Sequence, residues 1–164
     1  MRKLTVVKNK KYVIGADNAA IFLKREITNF LEDLGIEYED VGVFSESDQT
    51  YYPEIARRVT DKVIESNYKK EGILICGTGI GMAITANKFP GIYAAACYDI
   101  YAAERARLSN NTNIITLGAR ITGPILAKKI LKEWLSLEFN GGRSLPKVKK
   151  IKEYENENFR MKKE

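Results

Sequence analysis

The sequence predicts an α/β protein, a Rossmann-like three-layer sandwich built on a five-stranded parallel sheet. Two observations carry that expectation. From Lys11 onward, short aliphatic runs alternate with longer amphipathic stretches, the pattern of strands joined by helical right-handed crossovers. The carboxyl ends of the aliphatic runs carry Asp17, Cys76-Gly77-Thr78-Gly79 and Cys97–Asp99, where open parallel sheets place their ligands.

Tyr12–Asp17 reads as a buried strand ending in an acid. The helix after it puts Ile21, Leu23, Ile27, Phe30, Leu31 and Leu34 on one stripe and stops at Gly35. Ile36–Val41 is the second strand, followed by a polar loop from Ser45 to Tyr52. Pro53 opens a helix reaching about Asn67, at the first-turn position proline tolerates. Gly72–Cys76 is the third strand, Gly77–Gly81 a loop and Met82–Lys88 a helix, broken by Phe89-Pro90-Gly91. Ile92–Cys97 is the fourth strand, Ile100–Leu108 a helix, Asn113–Leu117 the fifth strand and Ile121–Leu137 a long helix. The main domain is expected over residues 11–143. Residues 1–10 are expected to form an extension or edge strand, and residues 144–164 a basic, partly helical arm.

With 164 residues, 45% of them hydrophobic and 29% charged, the chain is long enough for one self-sufficient core. No apolar run approaches the ~20 residues of a membrane span, and the N-terminus shows no apolar signal core, so a cytoplasmic protein with no membrane contact is expected. The two cysteines, Cys76 and Cys97, have no metal-ligand spacing, and histidine is absent. Any acid–base chemistry must run on carboxylates, cysteine, tyrosine, lysine or backbone donors. No metal or cofactor is expected. The net charge of +6 gathers at the two ends of the chain, which reads as solvated basic tails and not as a nucleic-acid stripe.

The stretch ILICGTGIGM, Ile73–Met82, is the richest in chemistry. A strand, a glycine turn and a helix N-terminus together make an anion site, because free amides and the helix dipole point the same way. The loop is neither a phosphate-binding GxxxxGK[ST] nor a dinucleotide GxGxxG, since Met82 stands where the last glycine would be. A small phosphorylated or anionic ligand is the remaining expectation. Cys76 reads either as a small buried hydrophobe or as a thiol activated by its position ahead of a helix. Cys97 lacks a glycine loop and reads as core.

The block ICGTGIGMAITANKFPGI resembles the ribose-5-phosphate isomerase B and galactose-6-phosphate isomerase family. GADNAAIFLKREI, Tyr52-Pro53, NNTNIITLGARITG and WLSLEFNGGRS extend the likeness from about Tyr12 to Val148. The resemblance implies a metal-independent aldose–ketose isomerase acting on a phosphorylated pentose or hexose, usually a dimer or tetramer with shared active sites. It implies Cys76 as the base moving a proton between C1 and C2, with Thr78 and the amides of Gly77, Gly79 and Gly81 at the enediolate. Asp17, Asn18 and Tyr52 would bind the sugar. Asn110 would reach in from a neighbouring subunit, and Arg143, with Arg120 and Lys147, would hold the phosphate.

The chain departs from the family pattern where histidines are usual. Asn18 replaces one near the phosphate end, Ser109 the one associated with ring opening, and Ser144 the one after the GGR segment; Lys147 replaces a second arginine. These departures leave open an isomerase for a sugar that needs little ring opening, one subunit of a hetero-oligomeric isomerase, or a catalytically impaired sugar-phosphate binder.

Overall fold

The structure, a computed structural model of the chain, describes residues 10–160. The expectation for the first nine residues lies outside these. The sheet holds five parallel strands, β1 (Lys11–Ala16), β2 (Tyr38–Asp40), β3 (Lys70–Cys76), β4 (Ala94–Ala96) and β5 (Ile114–Gly118). Their order is β2-β1-β3-β5-β4. Among the described residues six α-helices accompany them: α1 (Ile21–Asp33), α2 (Tyr52–Glu65), α3 (Ile80–Ala86), α4 (Ile100–Leu108), α5 (Pro124–Leu135) and α6 (Leu145–Arg160). The predicted fold class is the one the chain forms.

β1, β3 and β5 occupy the middle of the sheet and are buried almost throughout, which is why they read as unbroken aliphatic runs. Successive side chains point to opposite faces. Tyr12, Ile14, Ile73, Ile75, Ile115 and Leu117 pack with α1, α4 and α5. Val13, Leu74, Cys76 and Ile114 face the other way, into a cluster with Ile55 and Val59 of α2 and Met82 and Ala86 of α3. Cys76 therefore ends a central strand on the α2–α3 face.

The differences from expectation lie at element ends. The two edge strands shrink to three residues each, because each has one hydrogen-bonding neighbour. The free side of β4 is partly covered by the Asn87 amide, which donates to the Ala94 carbonyl and accepts from its amide, both at 2.8 Å. α5 begins at Pro124, three residues later than expected, since Ile121 and Thr122 turn back onto the Gly118 carbonyl. Leu145–Arg160 of the C-terminal arm form one continuous helix, α6; the expectation for residues 161–164 lies outside the described residues. Glu155 of α6 accepts hydrogen bonds from the Gly91 amide at 2.8 Å and the Tyr93 hydroxyl at 3.2 Å, fastening the helix at the start of the β4 segment.

α4 and α5 return the chain from the carboxyl edge of the sheet to its amino edge. There Arg107, buried at the end of α4, donates to the carbonyls of Trp134 and Thr112 and pairs with Glu71 at the start of β3. Among the described residues no helix is long and apolar enough to cross a membrane.

Candidate active site

The turn after β3 forms the centre of the site. Cys76 is 5% exposed, and its sulfur accepts a hydrogen bond from the Gly79 amide at 3.0 Å. Gly79 has φ +81°, a left-handed conformation that costs glycine nothing and folds the turn back over the sulfur. The Ile80 amide donates to Thr78 Oγ1 at 3.3 Å.

β5 supports this turn from beneath. The Ala119 amide donates to the Cys76 carbonyl at 2.8 Å and the Arg120 amide to the Gly77 carbonyl at 2.9 Å. The Thr116 hydroxyl donates to the Gly79 carbonyl at 2.8 Å. A Cβ on Gly118 would lie 2.6 Å from the Thr78 oxygen, so glycine at the end of β5 is what lets the turn rest on it. The Arg120 side chain passes 3.5 Å from where a Cβ on Gly77 would sit, bringing its charge to the turn.

Asp17 arrives from the end of β1, its amide bound to the Ile75 carbonyl at 3.3 Å. One carboxylate oxygen, Oδ1, is buried with no hydrogen-bond partner. Burial pushes the Asp17 carboxyl above its ordinary value, against the opposing pull of the Ala19 amide and Arg120. Tyr52, at the start of α2, lies against the first turn of α3, its ring 2.5 Å from where a Cβ on Gly81 would be. The fold thus gathers Asp17, Tyr52, Cys76, Gly77, Thr78, Gly79, Gly81 and Arg120 at the carboxyl edge.

Asn18 lies next to this group, and the other expected residues stand apart. Asn18 opens a 3-10 turn beside Asp17, its amide 3.5 Å from the Glu46 carbonyl. The Asn110 amide donates to the Arg105 carbonyl at 3.1 Å, past the end of α4 on the amino side of the sheet. Lys147, in the first turn of α6, precedes Val148, which lines a pocket with Glu71 and Thr112 on that side, and Arg143 comes just before α6 in the 3-10 turn Gly142–Ser144. The register from Gly72↔Ile114 to Cys76↔Gly118 sets about 13 Å of strand between the two edges. Within one chain, Asn110, Arg143 and Lys147 are not brought to Cys76.

Two neighbours of the turn escape a reading of the sequence. Thr116 looks like any β-branched strand residue, and Tyr98 like a loop aromatic, yet the Tyr98 hydroxyl donates to the Thr78 carbonyl at 2.9 Å. The available signal was Tyr98's place at a strand's carboxyl end. Cys97 packs in the core, 1% exposed, its thiol pushed up to about 12 by burial and by Asp99.

The profile of the ribose/galactose isomerase family matches residues 12–151. The chain is 49% identical to a D-erythrulose-4-phosphate isomerase of Pectobacterium atrosepticum, over 88% of this chain and 94% of that protein. It is 47% identical to a ribose-5-P isomerase B of Listeria innocua, over 90% and 99%. The structure of Clostridium thermocellum ribose-5-phosphate isomerase B superposes with a TM-score of 0.85 at 42% identity, covering 90% of this chain and 99% of that one. Sequence, fold and the extent of the match agree that this chain belongs to the ribose/galactose isomerase family.

Proposed function

We propose that this protein interconverts a phosphorylated aldose and its ketose, with Cys76 carrying a proton between C1 and C2. The thiolate takes the proton from one carbon, and the electron pair left behind forms the C=C bond of an enediol(ate) as charge moves onto the carbonyl oxygen. The Thr78 hydroxyl and the amides of the glycine turn stabilise that charge. The Cys76 thiol then returns the proton to the neighbouring carbon as the hydroxyl proton passes from one sugar oxygen to the other, which regenerates the carbonyl. Asp17, with a buried oxygen that finds no protein partner, orients the sugar hydroxyls. The observation that carries this reading is the Cys76 sulfur held by the Gly79 amide at 3.0 Å beside that carboxylate.

The phosphate end requires a second copy of the chain. An isologous dimer places the amino edge of one copy against the carboxyl edge of the other, so that Asn110, Arg143 and Lys147 complete the partner's site. The exposed side chains of Ile80, Ile84, Tyr101, Ile121 and Ile125 around the carboxyl edge are the apolar surface such contact would cover.

The substrate follows from Ser109, which stands where the family resemblance expects the ring-opening histidine. A pentose 5-phosphate closes to a furanose through its O4. A tetrose 4-phosphate carries phosphate on that oxygen and has no hydroxyl left for a five-membered ring, so it needs no ring opening. The favoured substrate is therefore a four-carbon sugar phosphate such as D-erythrulose 4-phosphate, the compound named for the Pectobacterium relative.

Initial rates on D-erythrulose 4-phosphate, ribose 5-phosphate and galactose 6-phosphate test this, with solvent-deuterium incorporation read by mass spectrometry. The tetrulose phosphate should give the highest kcat/KM by at least about tenfold, the scale of one missing general acid–base group or more. Equal or faster turnover of ribose 5-phosphate would overturn the substrate. Binding without deuterium exchange into any of the three would overturn catalysis and leave a sugar-phosphate binder.

A further inference from the structure

The Thr78–Gly79 peptide is held from both of its sides. Its carbonyl oxygen accepts the Tyr98 hydroxyl at 2.9 Å, and its N–H donates to the Cys76 sulfur at 3.0 Å. In a trans peptide those two groups point in opposite directions from one rigid plane. Whatever fixes the oxygen therefore aims the N–H. Gly79, with φ +81°, gives the chain the freedom to rotate this plane, so the turn by itself does not lock the orientation.

The anchorage of Tyr98 is firm. The Cys97 amide before it is bound to the Thr116 carbonyl at 3.1 Å. Asp99 after it caps α4, its Oδ1 accepting from the Ala102 amide at 2.7 Å. The phenol thus reaches across the end of β5 from a fixed base, and meets a carbonyl that rests on Gly118. Burial and the adjacent Cys76 sulfur push the phenol above its ordinary value, so it stays protonated and remains a donor.

We propose that Tyr98 is a positioning residue for the reactive thiol: its hydroxyl holds the Thr78 carbonyl so that the Gly79 N–H stays aimed at the Cys76 sulfur. A hydrogen bond donated to sulfur favours the thiolate, the form that acts as base or nucleophile. The consequence for turnover rests on Cys76 being the proton carrier; the consequence for the thiol itself does not. The other charged or titratable groups around the turn and the Tyr98 phenol are Asp17 just after β1, Tyr52 from α2, Cys97 just after β4 and Arg120 after β5. Among the described residues none of these donates to the Thr78 carbonyl.

Tyr98→Phe tests the proposal. It keeps the ring and its packing at a half-buried position and removes one oxygen, so the fold is retained. The measurement is the pH dependence of Cys76 alkylation by iodoacetamide in the whole protein, with the modified cysteine identified by mass spectrometry. The midpoint should move to higher pH by about one unit, the scale of one hydrogen bond to a charged acceptor, with the limiting rate at high pH unchanged. Near neutrality alkylation should slow about tenfold. An unmoved midpoint overturns the proposal, and so does a fall in the limiting rate alone, which would mean altered access to the sulfur. In parallel, the acid limb of kcat/KM should move by the same amount with little change in KM. A shifted alkylation midpoint with an unshifted activity limb would sustain the role of Tyr98 and overturn Cys76 as the base.

Discussion

The two edges of the sheet treat buried polar groups in opposite ways. At the amino edge, the Arg107 guanidinium is nearly enclosed and fully used. Its Nε donates to the Trp134 carbonyl at 3.0 Å and Nη1 to the Thr112 carbonyl at 2.6 Å. Both terminal nitrogens meet the Glu71 carboxylate, and the group lies 3.6 Å from the centre of the Trp134 ring. Trp134 in turn donates to Thr112 Oγ1 at 2.9 Å. Beside it the Tyr12 hydroxyl is unpaired, but it is neutral, and burial and Glu71 keep its proton on. At the carboxyl edge the unpaired atoms are one oxygen of the Asp17 carboxylate and the Thr122 hydroxyl, and the Cys76 sulfur has one donor, the Gly79 amide. An orphaned charge is far costlier than an orphaned hydroxyl. A carboxylate oxygen left buried and unpaired beside the glycine turn is a group held ready for a ligand.

Substitutions at the two edges should therefore separate activity from stability. The largest effect is expected from Cys76→Ala. Isomerase turnover should fall by about 10²–10⁴-fold, the usual contribution of a general base, with the melting temperature close to that of the parent. Retention of full activity would place the base elsewhere.

Arg107→Met should do the reverse. Losing one partner of a buried pair leaves Glu71 uncompensated except by Lys10, 2.8 Å away, at a cost of about 3 kcal/mol in urea unfolding. Adding Glu71→Leu should recover most of that loss. A single variant as stable as the parent would show the amino-edge network to be ornamental.

Asp17→Asn should show the smallest shift and the most telling sign. The folded-state carboxyl is raised above its unfolded value by burial, so ionised Asp17 lowers stability above its folded pKa. That penalty fades as pH falls through the folded pKa and is absent below the unfolded one. At neutral pH the amide should raise Tm by about a degree or two while reducing turnover, and the gain should vanish in acid. A lower Tm at neutral pH would mean that the carboxylate is structurally paired after all.

Much of the fold could be read along the chain. Strand and helix periods are local properties of consecutive residues, and Ile100–Leu108 is a helix over the span expected from them. The ends were less legible where tertiary contacts set them. β2 and β4 are shorter than the segments expected for them, Ile36–Val41 and Ile92–Cys97. α5 starts late because Gly118 captures Ile121 and Thr122. Within the candidate site, the Cys76 turn was visible because its glycines lie next to one another in sequence. Tyr98 and Thr116 were not, since a hydroxyl's partner some 20 or 37 residues away leaves no local pattern.

The sequence by itself determined the alternation of strands and helices, the cysteine in its glycine turn and the family to which these belong. All of these are written in neighbouring residues, where periodicity and backbone freedom act. Only the tertiary structure decided that β5 enters the sheet between β3 and β4. That placement brings Thr116, Gly118 and Arg120 under the turn and Tyr98 over it. It also leaves Asn110, Arg143 and Lys147 on the far edge, because each helix after a parallel strand must carry the chain back to the start of the next.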